Sequence, residues 1–151
     1  MIVVDVIENR LAVAKGMGAL TINAKQCDVL AEIAVMTNGM GAQAVIDCAG
    51  TNATICQTVH AAKSGGTIVW VGLASDTVNG LHISPVSTKE LTIKSIFRYK
   101  NLYPTAIAAI ADRKIDIKGI ISDTYKFEET PRAFAETLKN SQNIVKSIIV
   151  F

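Results

Sequence analysis

Aromatic residues are scarce, at 5% of 151 positions, and neither sign of charge dominates. Fifteen Lys and Arg stand against thirteen Asp and Glu, for a formal net charge of +2, and the basic residues are scattered along the chain. Without a basic cluster there is no electrostatic footprint of a nucleic-acid binder. Long hydrophobic runs are also missing. Mean hydropathy is +0.34, yet no apolar stretch approaches the roughly 18 residues of a membrane span, so the apolar content reads as buried sheet and no membrane partner is expected. The three cysteines, Cys27, Cys48 and Cys56, form no CxxC pair. Their odd number, with no signal-peptide pattern, argues for reduced thiols in the cytoplasm and against a disulfide framework. No internal repeat, low-complexity tract or linker interrupts the chain. A complete domain of this length would bury about 68–70% of its unfolded surface.

What is present is an alternation of short β-branched runs with helical patterns. Ile2-Val3-Val4 ends at Asp5, and Leu11, Ala14 and Lys15 then fall at helical spacing before Gly16 and Gly18. Thr21-Ile22-Asn23 is a second strand, and Val29, Leu30, Ile33, Ala34 and Met36 trace a helix that stops near Asn38-Gly39. Gln43 to Cys48 is a third strand. A helix follows from Asn52 to Lys63, with Ser64-Gly65-Gly66 as its glycine terminator. Thr67 to Val71 is a fourth strand whose continuous apolar character, Ile68-Val69-Trp70-Val71, implies helices on both faces. A short strand at Leu81-His82-Ile83 and a main strand from Leu91 to Phe97 come next. Tyr103-Pro104 opens a helix through Ala111. Ile120 to Phe127 alternates as a strand, Thr130-Pro131 caps a helix through Leu138, and Val145 to Phe151 is a final strand. Strands alternating with helices point to an α/β, Rossmann-like doubly wound parallel sheet.

Asp5 closes a buried strand and precedes a helix, where a dinucleotide fold puts a carboxylate on the adenosine ribose. It reads equally well as a helix cap. The glycine-rich turn that should lie about 20 residues earlier has no counterpart here. Gly16-Met17-Gly18 and Gly39-Met40-Gly41 follow helices instead of opening them, so they read as C-caps. In the strand order 3-2-1-4-5-6 the first strand lies at the centre of the sheet. The sheet is therefore expected to be incomplete, lacking that strand and turn and cut in two, with the chain belonging to a longer one or borrowing a strand from a partner.

A family resemblance becomes specific at Gly65-Gly66-Thr67-Ile68-Val69-Trp70-Val71-Gly72-Leu73 and at Lys89-Glu90-Leu91-Thr92-Ile93-Lys94-Ser95-Ile96-Phe97-Arg98-Tyr99. Together these resemble the carboxyl-terminal part of the medium-chain, zinc-containing alcohol dehydrogenase superfamily. Phe97-Arg98-Tyr99 with Asn101 and Pro104 resembles its sorbitol and xylitol dehydrogenase branch, and Asp5 to Leu11 with Ala14-Lys15 and Gly18-Ala19 is similar to the family's second strand and helix.

The resemblance implies that residues 1–114 are an incomplete NAD-binding Rossmann domain and that 115–151 return to a catalytic domain whose bulk is absent. It implies NAD as cofactor, with Asp5 holding the ribose diol and disfavouring a 2′-phosphate. Arg10 would lie against the adenine. Val71, Gly72 and Leu73 would contact the nicotinamide half, Gly72 allowing close backbone approach. Ile96, Phe97 and Arg98 would form the opposite wall, and Arg98 and Tyr99 would hydrogen-bond a small-molecule polyol. Zinc is implied for the parent protein, held by side chains outside this chain. Cys56 and His60 share a helix face, but two ligands without a third make a poor zinc site, and that face is expected to pack on the sheet. His82 is expected beside an edge strand with no titratable partner. Leu81-His82-Ile83 matches the region where family members extend the sheet across a two-fold axis, implying a homodimer or homotetramer.

The expected function is thus that of the carboxyl-terminal portion of an NAD-dependent, zinc-requiring polyol dehydrogenase, the chain itself being inactive. The alternative is a non-catalytic module for oligomerisation or weak dinucleotide binding. A methyltransferase using S-adenosylmethionine would explain Asp5 but not Phe97-Arg98-Tyr99. Short-chain dehydrogenases need a YxxxK pair, which none of Tyr99, Tyr103 or Tyr125 provides.

Overall fold

A computed structural model describes all 151 residues. The elements run β1 (Ile2–Asp5), α1 (Glu8–Gly16), β2 (Leu20–Asn23), α2 (Val29–Met36), β3 (Ala42–Asp47), α3 (Asn52–Ala61) and β4 (Ala62–Trp70). They continue with α4 (Ser84–Thr88), β5 (Thr92–Ser95), α5 (Tyr103–Ala111), β6 (Ile121–Lys126), α6 (Thr130–Lys139) and β7 (Lys146–Val150). All strand pairing is parallel, as the alternation of strand and helix requires. The pairs fall into three separate sheets, β1-β2, β3-β4-β5 and β6-β7. β1 and β3 do not pair with each other. No helix is long and apolar enough to cross a membrane.

The chain divides into two compact units, Met1–Cys27 with Leu102–Phe151, and Asp28–Asn101. In the first unit, Leu11 of α1 and Ile22 of β2 are buried, with Ala133 and Tyr125 from the carboxyl-terminal segment. Asn9 donates through Nδ2 to the Asn143 carbonyl at 2.8 Å, tying the two stretches of chain together. Between β6 and α6 lies a polar cluster. The buried Tyr125 hydroxyl donates to Glu136 Oε2 at 3.0 Å, and Arg132 Nε meets Oε1 at 2.9 Å. Burial and this hydrogen bond push the Tyr125 phenol up from its ordinary value. α6 is not capped by Thr130, whose hydroxyl instead donates back to the Phe127 carbonyl. The capping position is Glu129, and Pro131 sits in the first turn where its missing N–H is not needed.

The second unit is organised around β4. Ile68 lies between Val45 of β3 and Ile93 of β5, and with Val59 and Ala62 it forms a core joined by Trp70, Leu81, Val86 and Leu91. Each fully buried side chain of this size contributes about 1.5–3 kcal/mol. α3 supplies Ile55, Thr58 and Val59 to this face. It begins at a reciprocal cap between Thr51 and Thr54. α2 begins where Asp28 accepts from the N–H groups of Leu30 and Ala31, and past its end at Met36 the chain turns at Gly39, φ 77°, whose N–H reaches the Ala34 carbonyl at 2.7 Å.

Four further expectations need correction here. First, Gly65 and Gly66 do not terminate α3. The helix ends at Ala61 and turns directly into extended chain at Ala62, and the glycines sit in an irregular stretch of β4 where pairing jumps from Ala42 opposite Ala62 to Ala44 opposite Thr67. Second, the other face of the sheet is only partly covered, with Val69 half-buried. The opposite row, Ile46, Val69 and Lys94, leaves Ile46 62% exposed, because an apolar run marks residues that can be buried without saying what covers them. Third, Leu81-His82-Ile83 is not a strand. Leu81 is drawn into the core and Pro85 starts α4 immediately after. Fourth, β5 is shorter than Leu91–Phe97, because the Leu91 N–H closes α4 on the Val86 carbonyl and Arg98 adopts a left-handed conformation, φ 56°.

Two glycines fix how the loops after β3 and β4 meet. Gly50, φ 65°, lies against the backbone of Gly72 and Leu73, and a Cβ there would come within 2.7 Å of the Leu73 carbonyl oxygen. A Cβ on Gly72 would fall on the Gly50 backbone. Gly72→Ala is expected to cost on the order of 3 kcal/mol by overpacking, since neither backbone can yield as a side chain would. Urea unfolding measures this, and unchanged stability would contradict the close crossing.

Arg132, and then the Tyr125 hydroxyl, hold the Glu136 carboxyl below the usual carboxylate range. A group depressed on folding adds stability above its unfolded pKa and loses that stability as pH falls through the folded value. Glu136→Gln is therefore expected to be less stable than the parent near neutrality, with the gap closing on acidification below about pH 4. Urea midpoints measured across pH test this, and a pH-independent gap would count against the ion-pair assignment.

Candidate functional site

The carboxyl ends of parallel strands leave backbone groups unused and carry the loops, so ligand sites of α/β folds gather there. β4 and β5 are neighbours running in the same direction. Val71-Gly72-Leu73 follows the first and Ile96-Phe97-Arg98-Tyr99 the second, so the two sequence-selected groups share one edge of one sheet. The Ile96 N–H donates to the Trp70 carbonyl at 3.0 Å, locking the two exits together.

The side chains at this edge are open to solvent. Leu73 is 81% exposed and Phe97 68%, large apolar surfaces of the kind that mark a contact site. Arg98 turns back so that its guanidinium lies 5.0 Å from the centre of the Phe97 ring, a cation–π arrangement. Its positive φ is uncommon for a residue bearing a side chain.

Asp47, at the end of β3, was missed in the sequence. It is 5% exposed, and its carboxylate accepts from the Gly50 N–H at 2.9 Å. Its carbonyl accepts from both Val71 and Gly72, at 2.9 and 3.0 Å. One residue thus anchors the turn after β3 to the turn after β4. The available signal was a strand-ending acid with glycine three residues on, a side-chain-closed turn. The backbone approach permitted by Gly72 is made first of all by Gly50 of the same chain.

Asp5 and Arg10 come together in the first unit. Asp5 Oδ1 accepts from the N–H groups of Val6 and Ile7 at 2.7 and 2.9 Å, closing the turn before α1. The helix begins at Ile7 without a side-chain cap, so Asp5 does not play the capping role that the sequence left open. Oδ2 faces Arg10 Nη1 at 3.6 Å. Arg10 is therefore steered by Asp5, and the pair presents an acceptor and a planar cation at the start of α1.

The chain does not supply donors for a catalytic zinc. No group of three or more His, Cys, Asp or Glu side chains is arranged to hold a metal ion, so the residues present do not supply the three protein ligands of a catalytic zinc. All three cysteines are free thiols. The helix face bearing Cys56 and His60 does not pack on the sheet as expected. Ile55, Thr58 and Val59 take that place, leaving His60 exposed and the Cys56 thiol on the Asn79 carbonyl at 3.4 Å. His82 does have a titratable neighbour, the ring of His60.

Comparison with known proteins shows the family. The family model for zinc-binding dehydrogenases matches residues 1–112. An uncharacterised zinc-type alcohol dehydrogenase-like protein of Escherichia coli is 36% identical over 150 residues, covering 97% of this chain and 42% of that protein. The sorbitol dehydrogenase of Bacillus subtilis is 33% identical over 150 residues, 99% of this chain and 42% of its own. Among solved structures, an Escherichia coli alcohol dehydrogenase in complex with NADH superposes with a TM-score of 0.87 at 26% identity, over 99% of this chain and 44% of that one. The chain thus spans less than half the length of these relatives. From the matched residues and the shared Rossmann-like architecture, the chain belongs to the zinc-binding dehydrogenase family.

Proposed function

We propose that this chain is the cofactor-binding portion of an NAD-dependent dehydrogenase that oxidises a secondary alcohol of a polyol to a ketose. The observation that carries the reading is the shared carboxyl edge of β4 and β5, where Val71-Gly72-Leu73 and Ile96-Phe97-Arg98 stand on adjacent parallel strands. Relatives named sorbitol dehydrogenase and D-xylulose reductase support the substrate class. NAD, when bound, supplies the hydride acceptor. In this reading Asp5 holds the ribose diol through the oxygen not used in its own turn, and Arg10 lies against the adenine. Val71, Gly72 and Leu73 face Ile96, Phe97 and Arg98 across the nicotinamide, with Arg98 and Tyr99 binding substrate hydroxyls. These residues bind and orient. The zinc of the complete enzyme would be held by residues outside this chain, and assembly as a homodimer or homotetramer in the cytoplasm belongs to the same proposal.

A second reading, a non-catalytic module for oligomerisation or weak dinucleotide binding, is favoured by the absence of pairing between β1 and β3, which leaves no strand to carry a pyrophosphate turn.

Titrating NADH by fluorescence separates the two. The 151-residue chain is expected to bind NADH weakly, to lose about another tenfold on Asp5→Asn, and to show no turnover with added zinc. Binding indifferent to Asp5→Asn would favour the second reading. Robust turnover by the chain alone would overturn the assignment of its residues to binding only.

A further inference from the structure

We infer that His60 and His82 form a two-imidazole site for a divalent transition cation of the nickel, copper or zinc type. The chain has two histidines, and the fold brings them together, with ring centres 5.4 Å apart and ring planes at 89°. Two imidazole nitrogens bound to one ion at about 2.0–2.1 Å and a tetrahedral angle place their ring centres about 5 Å apart. The observed spacing therefore needs little adjustment. Both residues are exposed, so an ion reaches them from solvent and water completes its coordination. Imidazole suits these borderline metals.

The pair is held by the fold. Asn52, Cys56 and His60 are spaced four apart on α3 and lie along one face of it. Asn52 grips Asn79 at both backbone groups. Its Nδ2 donates to the Asn79 carbonyl and its Oδ1 accepts from the Asn79 N–H, each at 2.6 Å. Leu81 anchors the other side of the loop in the core beside Val59. His82, between these attachments and α4, is thus presented to His60 before any ion arrives, which lowers the ordering cost of binding.

Electrostatics cut both ways. The last turn of α3 favours a cation, but the Lys89 ammonium already donates to the carbonyls of Val59, His60 and Ala62 at 3.2, 3.0 and 2.9 Å. A saturable site of moderate affinity follows.

Nickel(II) titrated into the chain, followed by calorimetry and by paramagnetic broadening of the histidine ring protons, tests the inference. One ion per chain should saturate the site, and both rings should broaden together. His60→Gln and His82→Gln should each weaken binding at least tenfold, while Cys56→Ser leaves it within twofold. Asn52→Ala removes no donor and should weaken binding by loosening the loop, with the fold checked by circular dichroism. Absence of saturable binding, independent broadening of the two rings, indifference to either histidine substitution, or loss of binding with Cys56→Ser would overturn it.

Discussion

The geometry of the candidate site depends on one backbone junction, where the turn after β3 meets the turn after β4. The Asp47 carbonyl takes two N–H groups from Val71 and Gly72, its carboxylate closes the Asp47–Gly50 turn, and Gly50 and Gly72 cross with no room for a Cβ on either. A buried carboxylate is costly unless its acceptor capacity is used, so Asp47 is tolerated because it satisfies the turn. The direction in which Val71 and Leu73 leave the sheet follows from this junction. So does the placement of Ile96 and Phe97 beside them, through the Ile96 bond to Trp70.

The unpaired strand edges are the second constraint. Unpaired strand edges are templates for further pairing, and both β1 and β3 have one neighbour each. The exposed Ile46 on the partly covered face of the second unit and the solvent-facing Leu73 and Phe97 are features of the same kind. They are surfaces with the composition of an interior. Family members more than twice this length contain further chain beyond the matched region.

At Asp5 the structural and functional readings need not compete. One carboxylate oxygen serves the local turn and the other faces Arg10. A side chain held by its own backbone is preorganised for a ligand, which is why a residue that closes its own turn can also bind.

How much was legible in the sequence follows from the range of the forces involved. β-branched runs, helical spacing and caps act over a few residues, and they located nearly every strand and helix and the parallel α/β class. The family motif placed Val71-Gly72-Leu73 and Ile96-Phe97-Arg98 at strand ends. Where local signals conflicted with packing, packing won. Leu81 was drawn into the core instead of forming a strand, and Gly65-Gly66 became a β4 irregularity instead of a helix stop. Only the tertiary structure revealed the anchoring role of Asp47, the partly open face beneath Ile46 and the meeting of His60 with His82. Each depends on contacts between segments that are distant along the chain, and pattern and propensity carry no information about distances through space.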